Sequence, residues 1–97
     1  MAQIMLTASQ LEGKIQEMTK FKKDYDQDVN DANQIVSQIK NGWEGDASDA
    51  FQAEFKQIYT KLQKAGMGLD SYLKALNKIL AEYKSTESKN VNIAKSI

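Results

Sequence analysis

The sequence predicts an all-α protein, an antiparallel helix-turn-helix hairpin that dimerises into an elongated four-helix bundle. Three observations predict it. The 97 residues include no Pro, which is the strongest interruption to a helix. Apolar residues recur at spacings of three, four and seven in both halves of the chain, which is the period of one helix face. Gly42 and Gly45 bracket a short segment between the halves. We expect a single domain over residues 1–97, with a helix over about 8–41, a turn at about 42–46, a helix over about 47–86 and a flexible tail over about 88–97.

The first helix begins at a capping signal. Thr7 is followed three residues later by Gln10, the spacing of a reciprocal helix cap. The helix ends before Gly42, where a left-handed residue is expected. One heptad row contains Leu11, Met18, Tyr25, Ala32 and Ile39. A second row contains Ile15, Val29, Val36 and Trp43 and is interrupted by Lys22, while Phe21 and Ile35 widen the apolar face.

The second helix repeats the pattern. Asp46 is a suitable N-cap, and Asp49 follows in the positively polarised first turn. Gly66 and Gly68 lie inside the helix and indicate either a close helix approach or a bend. One heptad row contains Phe55, Leu62, Leu69, Leu76 and Tyr83. A second contains Phe51, Ile58, Ala65, Tyr72 and Ile79, with Tyr59, Leu73 and Leu80 broadening the face.

Both apolar faces are wider than one contact seam requires, so each hairpin should bury its remaining apolar surface against another. The charge distribution favours an antiparallel pair, since residues 1–23 carry +2, residues 24–54 carry −7 and residues 55–97 carry +5. We expect the core and dimer seam at Leu11, Ile15, Met18, Tyr25, Val29, Ile39, Phe51, Phe55, Ile58, Leu62, Leu69 and Leu76.

Composition excludes several functions. The chain has no Cys and no His, so it offers no thiolate zinc site, no Cys nucleophile and no His base. All 13 cations are Lys and the net charge is zero, which argues against nucleic-acid binding. Asp24, Asp26 and Asp28 imitate the start of a calcium loop, but Val29 and Ile35 occupy the positions that need Gly and Glu. We expect no enzyme, no cofactor, no metal and no nucleic-acid partner.

The segment Gly42-Trp43-Glu44-Gly45-Asp46 holds the single Trp of the chain and lies at the turn. The two glycines allow the unusual backbone angles of a tight turn. Trp43 either plugs the end of the bundle or leaves an exposed edge that a partner recognises.

With this motif the chain resembles the WXG-100 family, the roughly hundred-residue proteins of type VII (ESX) secretion systems that are related to the early secreted antigenic target. The resemblance covers about residues 4–88. The family's second motif, Tyr followed four residues later by an acidic residue, is matched by Tyr83 and Glu87. Some relatives carry an acidic residue further on, where this chain has Asn90, Ile93 and Ile97.

The resemblance implies a hairpin that pairs with itself or with a sister WXG protein. It also implies export without a cleaved N-terminal signal, consistent with the absence of a conventional signal sequence here. In such proteins the central motif and the partner's C-terminal motif form one signal for the secretion ATPase, which implies recognition roles for Trp43, Gly45, Tyr83 and Glu87.

Three functions stay open. The protein is a secreted effector or co-secreted partner, with a role in virulence; or an adaptor that pairs with the helical N-terminal region of a larger toxin; or an unrelated dimeric scaffold. The first two share every residue named above.

Overall fold

The computed structural model describes residues 6–96, with side chains described for residues 6–89. Helix α1 spans Ala8–Gly42 and helix α2 spans Asp46–Ser96. Trp43, Glu44 and Gly45 form the turn between them, and the described residues contain no strand. The predicted all-α helical hairpin is therefore confirmed, whereas its dimerisation stays a prediction.

The start of α1 is fixed by the predicted cap. The backbone N–H of Thr7 donates to Gln10 Oε1 at 3.0 Å, and the N–H of Gln10 donates to Thr7 Oγ1 at 3.0 Å. These bonds satisfy two donors that the first turn of a helix otherwise leaves free. The local sequence alone therefore sets where α1 begins.

The other end of α1 differs from the prediction. Gly42 is the last helical residue, and the left-handed residue in the described part of the chain is Gly45, with φ of 115°. The first backbone bond of α2 runs from the N–H of Asp49 to the carbonyl of Gly45 at 3.0 Å. Gly45 thus makes the reversal that starts α2, and a residue with a Cβ is strained there.

Helix α2 continues to Ser96, past residue 86 where the fading apolar pattern predicted its end. No Gly or Pro follows Gly68 in the sequence, and extending an existing helix costs far less than starting one. The side chains of Asn90 and Ile93, and the whole of Ile97, lie outside the described residues.

Contacts divide the chain into two compact units. The terminal unit comprises residues 1–20 and 71–97, and the turn unit comprises residues 21–70. In the described part of the terminal unit the core is apolar, with Leu11, Met18, Leu76 and Tyr83 packed against buried Ala8, Ile15, Leu73 and Leu80. In the turn unit the buried residues include two polar ones, Lys22 and Ser48, beside Val36 and Gly66.

The sequence assigned two heptad rows of α2 to the face that packs on α1, and the second of them is exposed in the structure. Residues exposed in each unit include Phe51, Ile58, Ala65, Tyr72 and Ile79, which the sequence assigned to the face of α2. Buried or half-buried in their place are Gln52, Tyr59, Gly66, Leu73 and Leu80. The row of Phe55 and Leu62 lies between the exposed row and this buried row, which we call the outer and the inner row. In the sequence the inner row looked less apolar, because it contains Gln52 and Gly66.

Gly66 serves a close approach of the helices. A Cβ at this position would lie 3.4 Å from Tyr25 Cε1 and 3.4 Å from Asp26 Oδ1, whereas a Cβ at Gly68 would meet nothing within 4 Å. Gly66 therefore has a packing role in the turn unit, and Gly68 has no comparable contact.

Candidate recognition sites

The turn holds Trp43 by its backbone and leaves much of its ring accessible. The buried hydroxyl of Ser48 donates to the carbonyl of Trp43 at 2.8 Å. Trp43 is 42% exposed, and its ring lies against Phe51, with ring centroids 5.9 Å apart and planes tilted by 47°. Such a tilted aromatic pair is favourable, so Trp43 is held in place without being part of a closed core.

A cleft of about 390 Å³ lies beside this ring. It is lined by Lys40, Trp43, Glu44, Gly45, Ser48, Asp49 and Gln52. Gln52 is the only described residue with a buried side-chain polar atom, its Nε2, that lacks a hydrogen-bond acceptor. The lining combines an aromatic edge, one cation and two carboxylates, a mixture that suits contact with another protein.

The two residues of the second motif, Tyr83 and Glu87, differ in their contacts. The hydroxyl of Tyr83 donates to the carbonyl of Leu6 at 3.0 Å, and its ring packs on the apolar core of the terminal unit. Next to it, Lys84 Nζ contacts Glu12 Oε2 at 2.9 Å. Glu87 lies four residues after Tyr83, is exposed, and makes no hydrogen bond or ion pair with another described residue. The Tyr83 hydroxyl thus has an acceptor within the chain, and the carboxylate of Glu87 has no partner among the described residues.

Lys22 forms a polar cluster inside the seam of the turn unit. Lys22 is 8% exposed. Its Nζ contacts the carboxylate of Asp26 and lies 3.3 Å from Asp70 Oδ1. The hydrogen bond to Asp26 and the second one to Asp70 raise the pKa of Lys22 above its ordinary value, while burial opposes them. Nearby, the hydroxyl of Tyr25 donates to the carbonyl of Leu62 at 2.8 Å.

The two sides of the seam in the turn unit differ in character. On one side, which we call the polar flank, lie Asp26 and Asp70 with their ion pairs to Lys22. On the other side, which we call the apolar flank, lie four large apolar residues, each one position before an inward-facing residue. They are Phe21 and Ile35 on α1 and Phe51 and Ile58 on α2, and all four are exposed. In an antiparallel helix pair, equivalent heptad positions of the two helices border the same side of the seam. In the terminal unit, Tyr72 and Ile79 are the exposed apolar residues at this heptad position of α2.

The predicted seam residues divide accordingly. Ile15 is buried, and half-buried are Leu11, Met18, Tyr25, Val29, Phe55, Leu62, Leu69 and Leu76. Ile39, Phe51 and Ile58 are exposed. Sequence reasoning missed Ser48, Lys22 and Gln52, although the Asp four residues after Lys22 was a signal for a paired lysine on a helix.

The chain belongs to the WXG100 family, described as proteins of 100 residues with WXG, whose match covers residues 3–88. It is also 31% identical over 86 residues to an uncharacterised protein of Clostridium acetobutylicum, with 89% of this chain and 85% of that protein covered. No solved structure matches.

Family membership suggests a small helical protein secreted by a type VII system. Proteins of this family are not known enzymes, and they typically pair with themselves or with sister WXG proteins. Within the described residues, no helix has both the length and the apolar character needed to cross a membrane. That part of the chain also contains no cluster of three or more side chains suited to holding a metal ion.

Proposed function

We propose that this protein is a type VII secretion substrate that is exported as a folded helical dimer and acts outside the cell as an effector or co-secreted partner. The observation that carries the proposal is the exposure of Trp43 and Glu87 on a hairpin whose seam is made by other residues. Residues that the fold does not bury are free for recognition. Family membership supports the secretion route.

The proposed partner is a second copy of the chain. The apolar flank leaves large side chains exposed on both helices of the turn unit, and such surface favours a protein contact. The −7 charge of residues 24–54 is matched by +5 in residues 55–97 and +2 in residues 1–23. An antiparallel second copy would bring opposite charges together, which favours that orientation. A sister WXG protein with the same pattern is the alternative partner.

In this proposal the secretion ATPase recognises the dimer through the exposed motif residues. Trp43 would offer its accessible indole edge beside the cleft, and Gly45 would hold the turn that displays it. Glu87 would offer a free carboxylate on α2, and Tyr83 belongs to the same motif. An adaptor for a larger toxin would use the same surfaces.

The test separates recognition from folding at Trp43. Because Trp43 is already 42% exposed, we expect Trp43→Ala to lower the free energy of unfolding by only about 1–2 kcal/mol. Export from a host with a type VII system should nevertheless be lost. Trp43→Phe is the control, since it keeps an aromatic ring against Phe51. Thermal unfolding followed by circular dichroism would be measured beside secretion, and loss of helicity in step with loss of export would contradict the proposal.

A further inference from the structure

We infer that the two ends of the Tyr83–Glu87 motif do different work: the Tyr83 hydroxyl is an internal tie between the start of α1 and α2, whereas Glu87 is the residue that the recognising protein contacts, through its carboxylate. This inference rests on the proposed function and deepens it.

The half-buried side chain of Tyr83 makes its contacts within the protein. Its hydroxyl donates to the carbonyl of Leu6 at 3.0 Å, and its ring packs with the core that contains Ala8 and Leu80. A partner that bound this hydroxyl would have to compete with an internal acceptor. The hydroxyl is therefore better placed to hold the chain just before α1 than to be recognised.

The start of α1 gains a second tie one residue further along α2. Lys84 Nζ contacts Glu12 Oε2 at 2.9 Å, so adjacent residues of α2 hold both the residue before the cap and the second turn of α1. Between them, Thr7 and Gln10 close the reciprocal cap. These contacts fix which turn of α2 lies beside the beginning of α1.

Glu87 lies one helical turn beyond these ties, on the part of α2 that continues to Ser96. Its carboxylate is exposed and has no hydrogen bond or ion pair with another described residue. The partner chemistry that fits it is a cationic side chain, since a charge-assisted hydrogen bond to a carboxylate is stronger than a neutral one. Glu87 therefore projects from the next turn of α2, beyond the ties that Tyr83 and Lys84 make to the start of α1.

Two variants separate the roles. Tyr83→Phe keeps the ring and removes the hydroxyl, so amide hydrogen exchange at Gln10 and Leu11, whose N–H groups donate to Thr7, should accelerate by about fivefold, the effect of losing one ordinary hydrogen bond. Export should stay within about twofold of wild type, a change too small to represent a lost recognition contact. Glu87→Gln should leave exchange unchanged and lower export by tenfold or more, about the loss of one charge-assisted contact. The matched control is Glu82→Gln, because Glu82 is an exposed acid on the same helix. This variant should change neither hydrogen exchange nor export.

The inference is overturned if Tyr83→Phe leaves exchange at the start of α1 unchanged, or if it lowers export as far as Glu87→Gln does. Normal export of Glu87→Gln would instead remove the proposed recognition role of the carboxylate, while the exchange result would still decide the role of Tyr83. The two failures are therefore distinguishable.

Photo-crosslinking shows independently which end of the motif another protein contacts. p-Benzoylphenylalanine in place of Tyr83 carries its reactive group where the hydroxyl was, so it should crosslink within the chain, near Leu6. The same group in place of Glu87 should crosslink to another protein of the secreting host. Equal crosslinking of both positions to the same host protein would show that Tyr83 is contacted directly and would overturn the inference.

Discussion

In the terminal unit, two neighbouring rows of α2 are both apolar but differ in exposure. Leu73 and Leu80 are 8% and 7% exposed, whereas Tyr72 and Ile79, each one residue earlier, are 55% and 53% exposed. The inner row packs in the core of the hairpin, and the outer row is the one that we propose contacts a partner. A heptad pattern therefore identifies an apolar helix, and the packing decides which of its rows is buried within the hairpin.

The largest expected effect comes from truncating the inner row. Leu80→Ala removes buried methyl groups from the apolar core of the terminal unit, and it should lower the free energy of unfolding by about 3 kcal/mol. Ile79→Ala, its matched control, should change the stability of the hairpin by less than about 1 kcal/mol. Urea unfolding of both variants at low protein concentration is the measurement. Equal losses would mean that the two rows do not differ as described.

The turn that orients the two helices should be the next most sensitive feature. Gly45 has φ of 115°, a conformation that L side chains rarely adopt, so Gly45→Ala should cost about 1 kcal/mol or more. Gly42 is helical, and a Cβ there meets nothing within 4 Å. Gly42→Ala should therefore be neutral or stabilising. Thermal unfolding of the pair checks the assignment, which is wrong if Gly42→Ala proves the more damaging change.

The two glycines inside α2 should separate by a smaller amount. Gly68→Ala should stabilise the protein by about 0.5–1 kcal/mol, because Ala favours the helix and meets no neighbour. Gly66→Ala should gain less, since its Cβ comes to 3.4 Å from Tyr25 and Asp26. Urea unfolding should rank Gly68→Ala as the more stable variant. The reverse order would argue against a close helix approach at Gly66.

Lys22 should give the smallest change at neutral pH. Lys22→Met removes the cation, but the side chains of its partners Asp26 and Asp70 are 57% and 56% exposed, so water can solvate the carboxylates that remain. We therefore expect Lys22→Met to stay within about 1 kcal/mol of wild type. Lys23→Met, an exposed neighbour, is the control.

The same residue should contribute a pH dependence at alkaline pH. The raised pKa of Lys22 in the folded state means that its stabilising contribution is complete below the ordinary value of 10.5 and is lost as pH rises above it. Wild type and Lys23→Met should therefore lose more stability between neutral pH and pH values above 10.5 than Lys22→Met does. Urea unfolding at both pH values checks this. Parallel losses in all three proteins would show that the ion pairs contribute nothing measurable.

Features determined by local sequence were predictable. Thr7 and Gln10 satisfy each other's backbone groups, so the start of α1 followed from four residues. The existence and extent of α1 followed from a long, strongly periodic segment. For Trp43 the motif allowed two interpretations, a plug at the end of the bundle and an exposed edge, and it did not choose between them.

Features determined by contacts between the helices were not predictable. The row of α2 that faces α1 depends on where Gly66 allows Tyr25 to approach, and periodicity carries no such information. Lys22 looked like an interruption because its partner Asp70 lies far away in sequence. Gly45 rather than Gly42 is left-handed because α1 extends through Gly42 to the edge of the turn.

The most direct test of the account is whether the exposed row of α2 joins two copies of the chain. Sedimentation equilibrium at micromolar concentration would compare wild type with Ile58→Asp, which puts a charge on the apolar flank, and with Gln57→Asp, which puts the same charge on an exposed neighbouring position. We predict a dimer for wild type and for Gln57→Asp, and a helical monomer for Ile58→Asp. A folded wild-type monomer, or a dimer that Ile58→Asp leaves intact, would contradict it.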